Sequence, residues 1–145
     1  MADGGQMREI LVQGGSDEAF DRSIVFARRM AESFGARLHV VYTIADPLSA
    51  GWTAEVSADR LPDVHQAMEA EARERLAHLI SLEDQDRLGV EIVLRTGPPA
   101  QEIVRYAIDR KVDLAIVLAE PSGGTGSDVA QAILNDASCA VLALR

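Results

Sequence analysis

The chain has 145 residues, of which 23 are acidic and 14 basic, so its formal net charge is −9. This length fits one domain with a core of its own, and the acidic surplus disfavours binding to nucleic acid or anionic lipid. No apolar run approaches the roughly 20 residues that span a bilayer, and the N-terminal stretch lacks the pattern of a secretion signal. We therefore expect a cytoplasmic protein that contacts no membrane.

The first part of the chain predicts a strand, a helix and a second strand. Arg8–Gln13 is a short apolar run, and the side-chain oxygens of Ser16 and Asp17 can cap the helix that follows it. Apolar residues at helical spacing continue up to Gly35, which ends this helix. Arg37–Thr43 is rich in β-branched and aromatic residues, which predicts the second strand.

A long connection follows the second strand. Residues 45–63 contain two prolines and a glycine, and this composition predicts an irregular segment. Val64–Leu82, in contrast, is dominated by the strong helix formers Ala, Glu, Arg and Leu, and it is predicted as a helix. Residues 1–6 show no pattern of a helix or a strand, and we expect them to be disordered.

The second part of the chain continues the alternation of strand and helix. The predicted elements are the strand Gly89–Arg95, the helix Ala100–Arg110, the strand Val112–Ala119, the helix Asp128–Asp136 and the strand Ala140–Leu144. Pro98 and Pro99 suit the start of a helix, because proline is tolerated in the first turn. The nearly continuous apolar run of the fourth strand predicts burial on both faces of the sheet.

The element order βαβαβαβαβ predicts one domain that spans residues 1–145. Its fold class is α/β: a five-stranded parallel doubly wound sheet, Rossmann-like, with helices on both faces. The last strand, Ala140–Leu144, is expected at an edge of the sheet, where an exposed apolar strand pairs with another chain. We therefore expect this strand to have a pairing partner; the alternative is that neighbouring helices cover it.

A glycine-rich loop between the fourth strand and the last helix is the candidate binding element. Phosphates bind where the carboxyl end of a strand meets a helix N-terminus, and this loop falls at that place. However, Asp128 begins the predicted helix, and as N-cap or first-turn carboxylate it would itself occupy the positive helix end. No Lys or Arg lies between Lys111 and Arg145 to offset this charge, so tight phosphate binding is disfavoured.

The sequence shows no recognisable catalytic or metal-binding motif. His39, His65 and His78 do not form the i, i+4 pair of a helical metal site, and we interpret them as packed or solvated. No serine lies in a G-x-S-x-G motif, and the glycines after the first strand lack the spacing of a dinucleotide fingerprint. Cys139, the single cysteine, is interpreted as a buried and inert thiol. The sequence predicts neither catalytic residues nor a metal site.

Three stretches of the chain, taken in order, carry a family resemblance. They are ILVQGGSDEAFDRSIVFARRMAESFGARLHVVYTIADP, LGVEIVLRTGPPAQEIVRYAIDRKVDLAIVLAE and SDVAQAILNDASCAVLALR. Together, from about Met7 to Arg145, they resemble the universal stress protein family in the order of strands, turns and helices. The resemblance implies the adenine nucleotide alpha hydrolase-like form of the fold, a role in stress response and a homodimer joined through the strand Ala140–Leu144.

The resembled family includes members that bind ATP and members that do not. In the binders, an acidic residue ends the first strand, a second-strand residue packs near adenine, and a G-x2-G-x9-G-[S/T] loop holds phosphate and ribose. Here Gly15 takes the acidic position, Ser16 takes that of the following glycine, and Thr43 takes the second-strand position. Ala119 and Ser122 replace the first two glycines of the loop.

The loop is also shorter than the family motif. If Ser127 and Asp128 take the places of the final Gly-Ser, four residues separate them from Ser122; if Gly126 and Ser127 do, three remain. The resemblance therefore implies a degenerate cleft. Its positions are Gly15, Ser16, Thr43, Gly97, Ser122, Gly124, Gly126, Ser127 and Asp128.

These features favour one function and leave two alternatives. We expect a non-catalytic dimeric stress-response module with a degenerate nucleotide site and no cofactor, which acts through an unidentified protein partner. The first alternative is an ATP- or AMP-binding sensor, in which the loop glycines remain adaptable and Arg95 reaches the cleft. A nucleotide hydrolase is the least favoured alternative, because no base or metal cluster is legible.

Overall fold

The computed structural model describes residues 6–15, 17–44, 54–119 and 125–145, with residues 54–61 and 125–128 described by their backbone alone. Its elements, in chain order, are β1 (Glu9–Gly14), α1 (Glu18–Phe34), β2 (Arg37–Ile44), α2 (Ala54–Leu79), α3 (Leu82–Arg87), β3 (Glu91–Thr96), α4 (Pro99–Asp109), β4 (Leu114–Leu118), α5 (Thr125–Asp136) and β5 (Ala140–Leu144). The strands pair in parallel in the order β3-β2-β1-β4-β5, which confirms the predicted doubly wound sheet.

The sheet separates two apolar cores, because successive side chains of a strand point to opposite faces. One core joins β1 and β2 to α1 and α2, and its buried members include Ile10, Val12, Leu38, Val40, Ile24, Ala27, Leu76 and Ile80. The other joins β1, β2 and β4 to α4 and α5, and it includes Leu11, Val41, Val117, Ile103, Tyr106, Ala130 and Ile133. Every residue of β4 is buried, as its apolar sequence predicts.

The two ends of α1 confirm their sequence signals. The side chain of Asp17 accepts a hydrogen bond from the backbone N–H of Ala19, so Asp17 is the N-cap. Gly35 ends the helix in the left-handed conformation at φ 65°, which is favourable for glycine. The backbone N–H of Ala36 then bonds to the carbonyl of Ala31 at 2.9 Å.

The predicted irregular connection is wrong for residues 54–63, which belong to α2. Pro62 suggested a break, but it lies within the helix. The stretch AEVSADRL before it is rich in helix formers, and these outweigh the proline. The short helix α3 was also missed; Ser81 caps it by accepting the N–H of Asp84 at 3.2 Å. Residues 45–53 and residues 1–5 lie outside the described part of the chain.

The two edges of the sheet are β3 and β5. The prediction that the last strand is an edge strand is therefore confirmed, with the bounds that the sequence indicated. Within the described residues, no helix has the length and apolar character needed to cross a membrane.

Candidate functional site

The chain changes direction across the sheet between β1 and β4. β2 and β3 lie on one side of β1. The connection after β3 then passes back across β2 and β1, so β4 lies on the other side of β1. In doubly wound sheets, ligands bind outside the carboxyl ends of the two strands at such a switch point. The ladder between these strands ends at the pair Val12 and Ile116, and the crevice lies beyond it.

The side chain of Gln13 bridges the two strands just beyond this ladder. Gln13 is 6% exposed, and its Oε1 accepts a hydrogen bond from the backbone N–H of Leu118 at 3.0 Å. A buried backbone N–H needs a partner, and here a side chain provides it at the place where a ligand would enter. Sequence reasoning missed Gln13, although a polar residue in an otherwise apolar strand is a signal that could have found it.

Gly15 follows β1 and lies against the ring of Phe20. A Cβ atom on Gly15 would be 2.4 Å from Cε2 of Phe20, so any larger residue requires the ring to move. Ser16, the next predicted site residue, lies outside the described residues. Asp17 then directs Oδ1 to the backbone N–H of Ala19 at 3.0 Å, and this places a negative charge at the N-terminus of α1.

Thr43 and Gly97 continue the same edge toward β3. Thr43 is half-buried near the end of β2. Gly97 donates its backbone N–H to the carbonyl of Ile44 at 2.9 Å. A Cβ atom on Gly97 would lie 3.1 Å from Oε2 of Glu102, a carboxylate that is 7% exposed and pairs with Arg105 at 3.1 Å. The predicted site positions Gly15, Thr43 and Gly97 therefore all lie at the carboxyl ends of the first three strands, along one edge of the sheet.

The remaining predicted site residues belong to the loop and to α5. Ser122 and Gly124 lie outside the described residues. Gly126, Ser127 and Asp128 lie inside α5, because this helix begins at residue 125, three residues before its predicted start. Of the two predicted places for Asp128, the first turn is confirmed and the N-cap is wrong, because Asp128 is the fourth residue of the helix. Contact between a ligand and any of these positions remains a prediction.

A second polar cluster lies between the sheet and α4. Nε2 of His39 lies 2.7 Å from Oε1 of Glu9, and Nδ1 lies 2.8 Å from the hydroxyl of Tyr106 and 3.0 Å from Oε2 of Glu91. Arg110 also binds Oε2 of Glu91, at 2.8 Å. A carboxylate, an imidazole and a hydroxyl in this order resemble a catalytic triad. However, His39 is 0% and Tyr106 1% exposed, so no substrate reaches them, and the cluster is structural.

The other two histidines match their interpretation as packed or solvated side chains. Nε2 of His65 lies 2.7 Å from Oγ1 of Thr96 at the end of β3, and His78 is exposed on α2. In the part of the chain that the structure describes, no three His, Cys, Asp or Glu side chains are grouped so that they could hold a metal ion.

Cys139 lies just before β5 and is half-buried, where the sequence indicated a buried thiol. It packs against the core that α4 and α5 share. Burial raises the pKa of the Cys139 thiol above its ordinary value. Because the thiolate is the reactive form, this environment favours a thiol of low reactivity.

The fold and this edge together define a doubly wound α/β domain with a crevice at the carboxyl end of its central strands. Residues 7–145 match the model of the Universal stress protein family, and the chain belongs to that family.

Three known proteins illustrate the relationship. Universal stress protein MJ0531 of Methanocaldococcus jannaschii is 24% identical in an alignment of 142 positions that covers 94% of this chain and 80% of that protein. The structure of UspA from Lactobacillus plantarum has a TM-score of 0.77 at 19% identity, over 98% of this chain and 100% of that one. A universal stress protein in complex with cAMP has a TM-score of 0.67 at 16% identity, over 97% and 98% of the two chains. These structures show the shared fold.

Replacing His39 tests whether this cluster holds the sheet against α4. We expect His39→Ala to lower the free energy of unfolding by about 2–3 kcal/mol, because Glu9, Glu91 and the Tyr106 hydroxyl lose a buried partner. Urea unfolding measures this change. The exposed His78→Ala is the matched control, expected within about 0.5 kcal/mol of wild type. Equal stabilities of the two variants would contradict the structural role of the cluster.

Alkylation of Cys139 tests its low reactivity. Because burial raises the pKa of the thiol, we expect iodoacetamide to modify the folded protein several-fold more slowly than the same protein unfolded in urea at the same pH. Mass spectrometry over time gives both rates. A folded protein that reacts as fast as the unfolded chain would show an accessible, reactive thiol.

Proposed function

We propose that this universal stress protein is a non-catalytic cytoplasmic module that acts in the stress response through protein contacts. It works as a homodimer, its nucleotide site is degenerate, and ATP is not its cofactor. The observation that carries the proposal is the bridge that Gln13 makes to Leu118 at the switch point.

The Gln13 bridge satisfies a backbone donor of the crevice when no ligand is bound. The amide oxygen takes up the N–H of Leu118, a backbone donor at the carboxyl end of β4. A ligand that entered between the strands would have to displace this side chain and replace the bond. Leaving a buried donor without a partner costs about 1–3 kcal/mol, so entry is favourable only for a ligand that provides an equivalent acceptor.

The packing of Phe20 supports the same proposal. In the resembled nucleotide binders an acidic residue stands at the position of Gly15. In this chain the Phe20 ring fills the space that such a side chain would need first, since a Cβ atom would lie 2.4 Å from it. The end of β1 is therefore packed for a residue that has no side chain.

Carboxylates at this edge oppose an incoming phosphate. Asp17 caps α1, and Glu102 lies buried in the first turn of α4. A surface depression of about 550 Å³ over the start of α1 is lined by Asp17, Glu18 and Asp21, together with one arginine. Helix N-termini attract anions, but here side-chain carboxylates already provide the negative charge. A triphosphate would add its own charge to theirs at a Coulombic cost.

The non-catalytic part of the proposal rests on access to reactive groups. The imidazole of His39 and the hydroxyl of Tyr106 are buried in the core, so they are out of reach of a substrate. Among the described residues, the carboxyl edge presents glycines, Thr43 and the amide of Gln13, together with capping carboxylates, and these groups do not form a nucleophile–base pair.

Isothermal titration with ATP and with cAMP tests the nucleotide part of the proposal. We expect no saturable heat from wild type with either nucleotide, because Gln13 and the surrounding carboxylates disfavour entry. Gln13→Ala removes the bridge; we expect it to melt a few degrees lower, at about the cost of one orphaned buried donor, and still to bind neither nucleotide. Micromolar affinity of wild type for either nucleotide would contradict the proposal. Affinity that appears only in Gln13→Ala would assign the loss of binding to Gln13 alone.

A nucleotide-binding sensor is the second candidate function, because a protein of similar structure forms a complex with cAMP. Under this alternative, Gln13 would move aside, and Gly126→Val would abolish a nucleotide-induced rise in melting temperature. Arg95 would also have to turn toward the crevice, since its guanidinium carbon lies 5.3 Å from the centre of the Tyr106 ring.

The edge strand β5 offers the surface for the proposed homodimer. Its side chains are half-buried or exposed, and it pairs with β4 on one side. The carbonyl of Leu144 accepts the N–H of Ala119 at 2.6 Å, so Leu144 directs its backbone groups to β4. Because these directions alternate along a strand, Ala143 directs its N–H and C=O away from β4, where a second copy can pair.

A proline at position 143 tests this dimer. Ala143→Pro removes an outward N–H and leaves the β4 ladder intact, so we expect a monomer, whereas wild type and the control Ala143→Ser remain dimers. Size-exclusion chromatography with light scattering gives the masses, and melting curves check that Ala143→Pro is folded. A monomeric wild type, or a folded dimeric Ala143→Pro, would contradict the proposed interface.

A further inference from the structure

The outer edge of β3 is an unpaired strand edge. β3 pairs with β2 along its whole length, and no strand of the described part of the chain pairs with its other side. The backbone N–H of Gly97 bonds to the carbonyl of Ile44 on β2 at 2.9 Å. Because these directions alternate along a strand, Ile92 and Leu94 direct their N–H and C=O groups away from β2. A further strand can pair with these outward groups.

β3 lacks two features that usually protect an edge strand. Its sequence, EIVLRT, contains no proline, and its register with β2 is uninterrupted, so it has no bulge. Its six residues are all half-buried, whereas the five residues of β4, in the interior of the sheet, are all buried. The charged side chains of β3, Glu91 and Arg95, both point to the α4 side, so the residues that β3 presents on the α2 side are uncharged. Such an edge suits a segment that adds a strand to the sheet.

Arg95 gives the α4 side of this edge an unmatched positive charge. Its guanidinium carbon lies 5.3 Å from the centre of the Tyr106 ring, which is 1% exposed, so the ring positions the arginine. Within the described residues, Arg95 forms no ion pair. Glu91, at the other end of the strand, is already bound by Arg110 at 2.8 Å and lies 3.0 Å from Nδ1 of His39. The charge that is available to a partner is therefore positive.

The α2 side of the edge has room for a side chain of an added strand. A surface depression of about 300 Å³ lies between α2 and β3, and it is lined by His65, Gln66, Glu69 and Leu94. Nε2 of His65 lies 2.7 Å from Oγ1 of Thr96, so α2 is held to the end of β3 beside this depression. The lining combines one apolar residue with three hydrogen-bonding residues. It suits a threonine, because that side chain has both a methyl and a hydroxyl group.

We propose that the outer edge of β3 binds an extended segment of a partner protein, which adds a strand to the sheet and places one acidic side chain opposite Arg95. Opposite charges at facing positions of neighbouring strands attract each other, because their side chains lie about 4.5–5.5 Å apart. The formal net charge of −9 opposes a run of acidic residues, so a segment with a single one fits best. The proposal rests on the proposed function, since it specifies the protein contact through which the module acts. β3 and β5 are opposite edges of the sheet, so the segment leaves the proposed dimer surface free.

Two peptides test the edge and its charge preference. The peptide Val-Thr-Glu-Thr-Val-Thr, blocked at both ends, places its threonines on the α2 side and its glutamate opposite Arg95; the control peptide has lysine in place of glutamate. In amide nuclear magnetic resonance titrations of wild type, we expect saturable shifts at Ile92 and Leu94, and about fivefold tighter binding of the glutamate peptide. Arg95→Glu should reverse this preference. Arg29→Glu makes the same change of net charge at an exposed position of α1 and should keep the wild-type preference.

Other outcomes of these titrations overturn the proposal. The absence of saturable shifts at Ile92 and Leu94, or shifts confined to β5, would show that the edge of β3 takes no added strand. Equal binding of the two peptides to wild type, or an Arg95→Glu variant that still prefers the glutamate peptide, would show that Arg95 does not select the partner. Nucleotide titration and the mass of the dimer test the proposed function separately, so failure at the β3 edge is distinguishable from failure of that function.

Discussion

The domain depends on how its middle strand, β1, is joined to β4. Three residue pairs form the ladder between these strands, and a hydrogen-bonding side chain continues it at each end. At the start, Oδ2 of Asp113 accepts the backbone N–H groups of Arg8 and Glu9 at 2.8 and 2.9 Å. At the carboxyl end, Gln13 accepts the N–H of Leu118. Because β2 and β3 lie on one side of this junction and β5 on the other, it unites the two halves of the sheet.

This junction coincides with the place where doubly wound proteins bind ligands. A crevice at a switch point normally exposes backbone donors, which a ligand then satisfies. Here the amide oxygen of Gln13 accepts one of these backbone N–H groups and so links β1 to β4. A single side chain therefore joins the two strands and occupies a donor of the crevice. This is why we propose that the protein acts through its surface and its edge strand, with the nucleotide crevice as part of the scaffold.

The sequence predicted those features whose causes are local. Asp17 and Gly35 bound α1 as expected, because a capping oxygen and a left-handed glycine act on their nearest neighbours. Pro62 misled for the same reason: a local break signal was outweighed by the helix formers around it. The bridge from Gln13 to Leu118 joins positions 105 apart in the chain, so only the strand order could place these residues together. The sequence therefore predicted where the site lies in the sheet but not that the Gln13 side chain lies there.

The chemical nature of the Gln13 bridge has one further consequence. The bond joins a neutral amide oxygen to a neutral backbone N–H, and neither group titrates in the physiological range. Salt screens charges, but it has little to act on in a buried bond between neutral groups. The bond between Gln13 and Leu118 is therefore insensitive to acidity and ionic strength. A response of the protein to acid or salt has to arise from its charged groups and not from this bond.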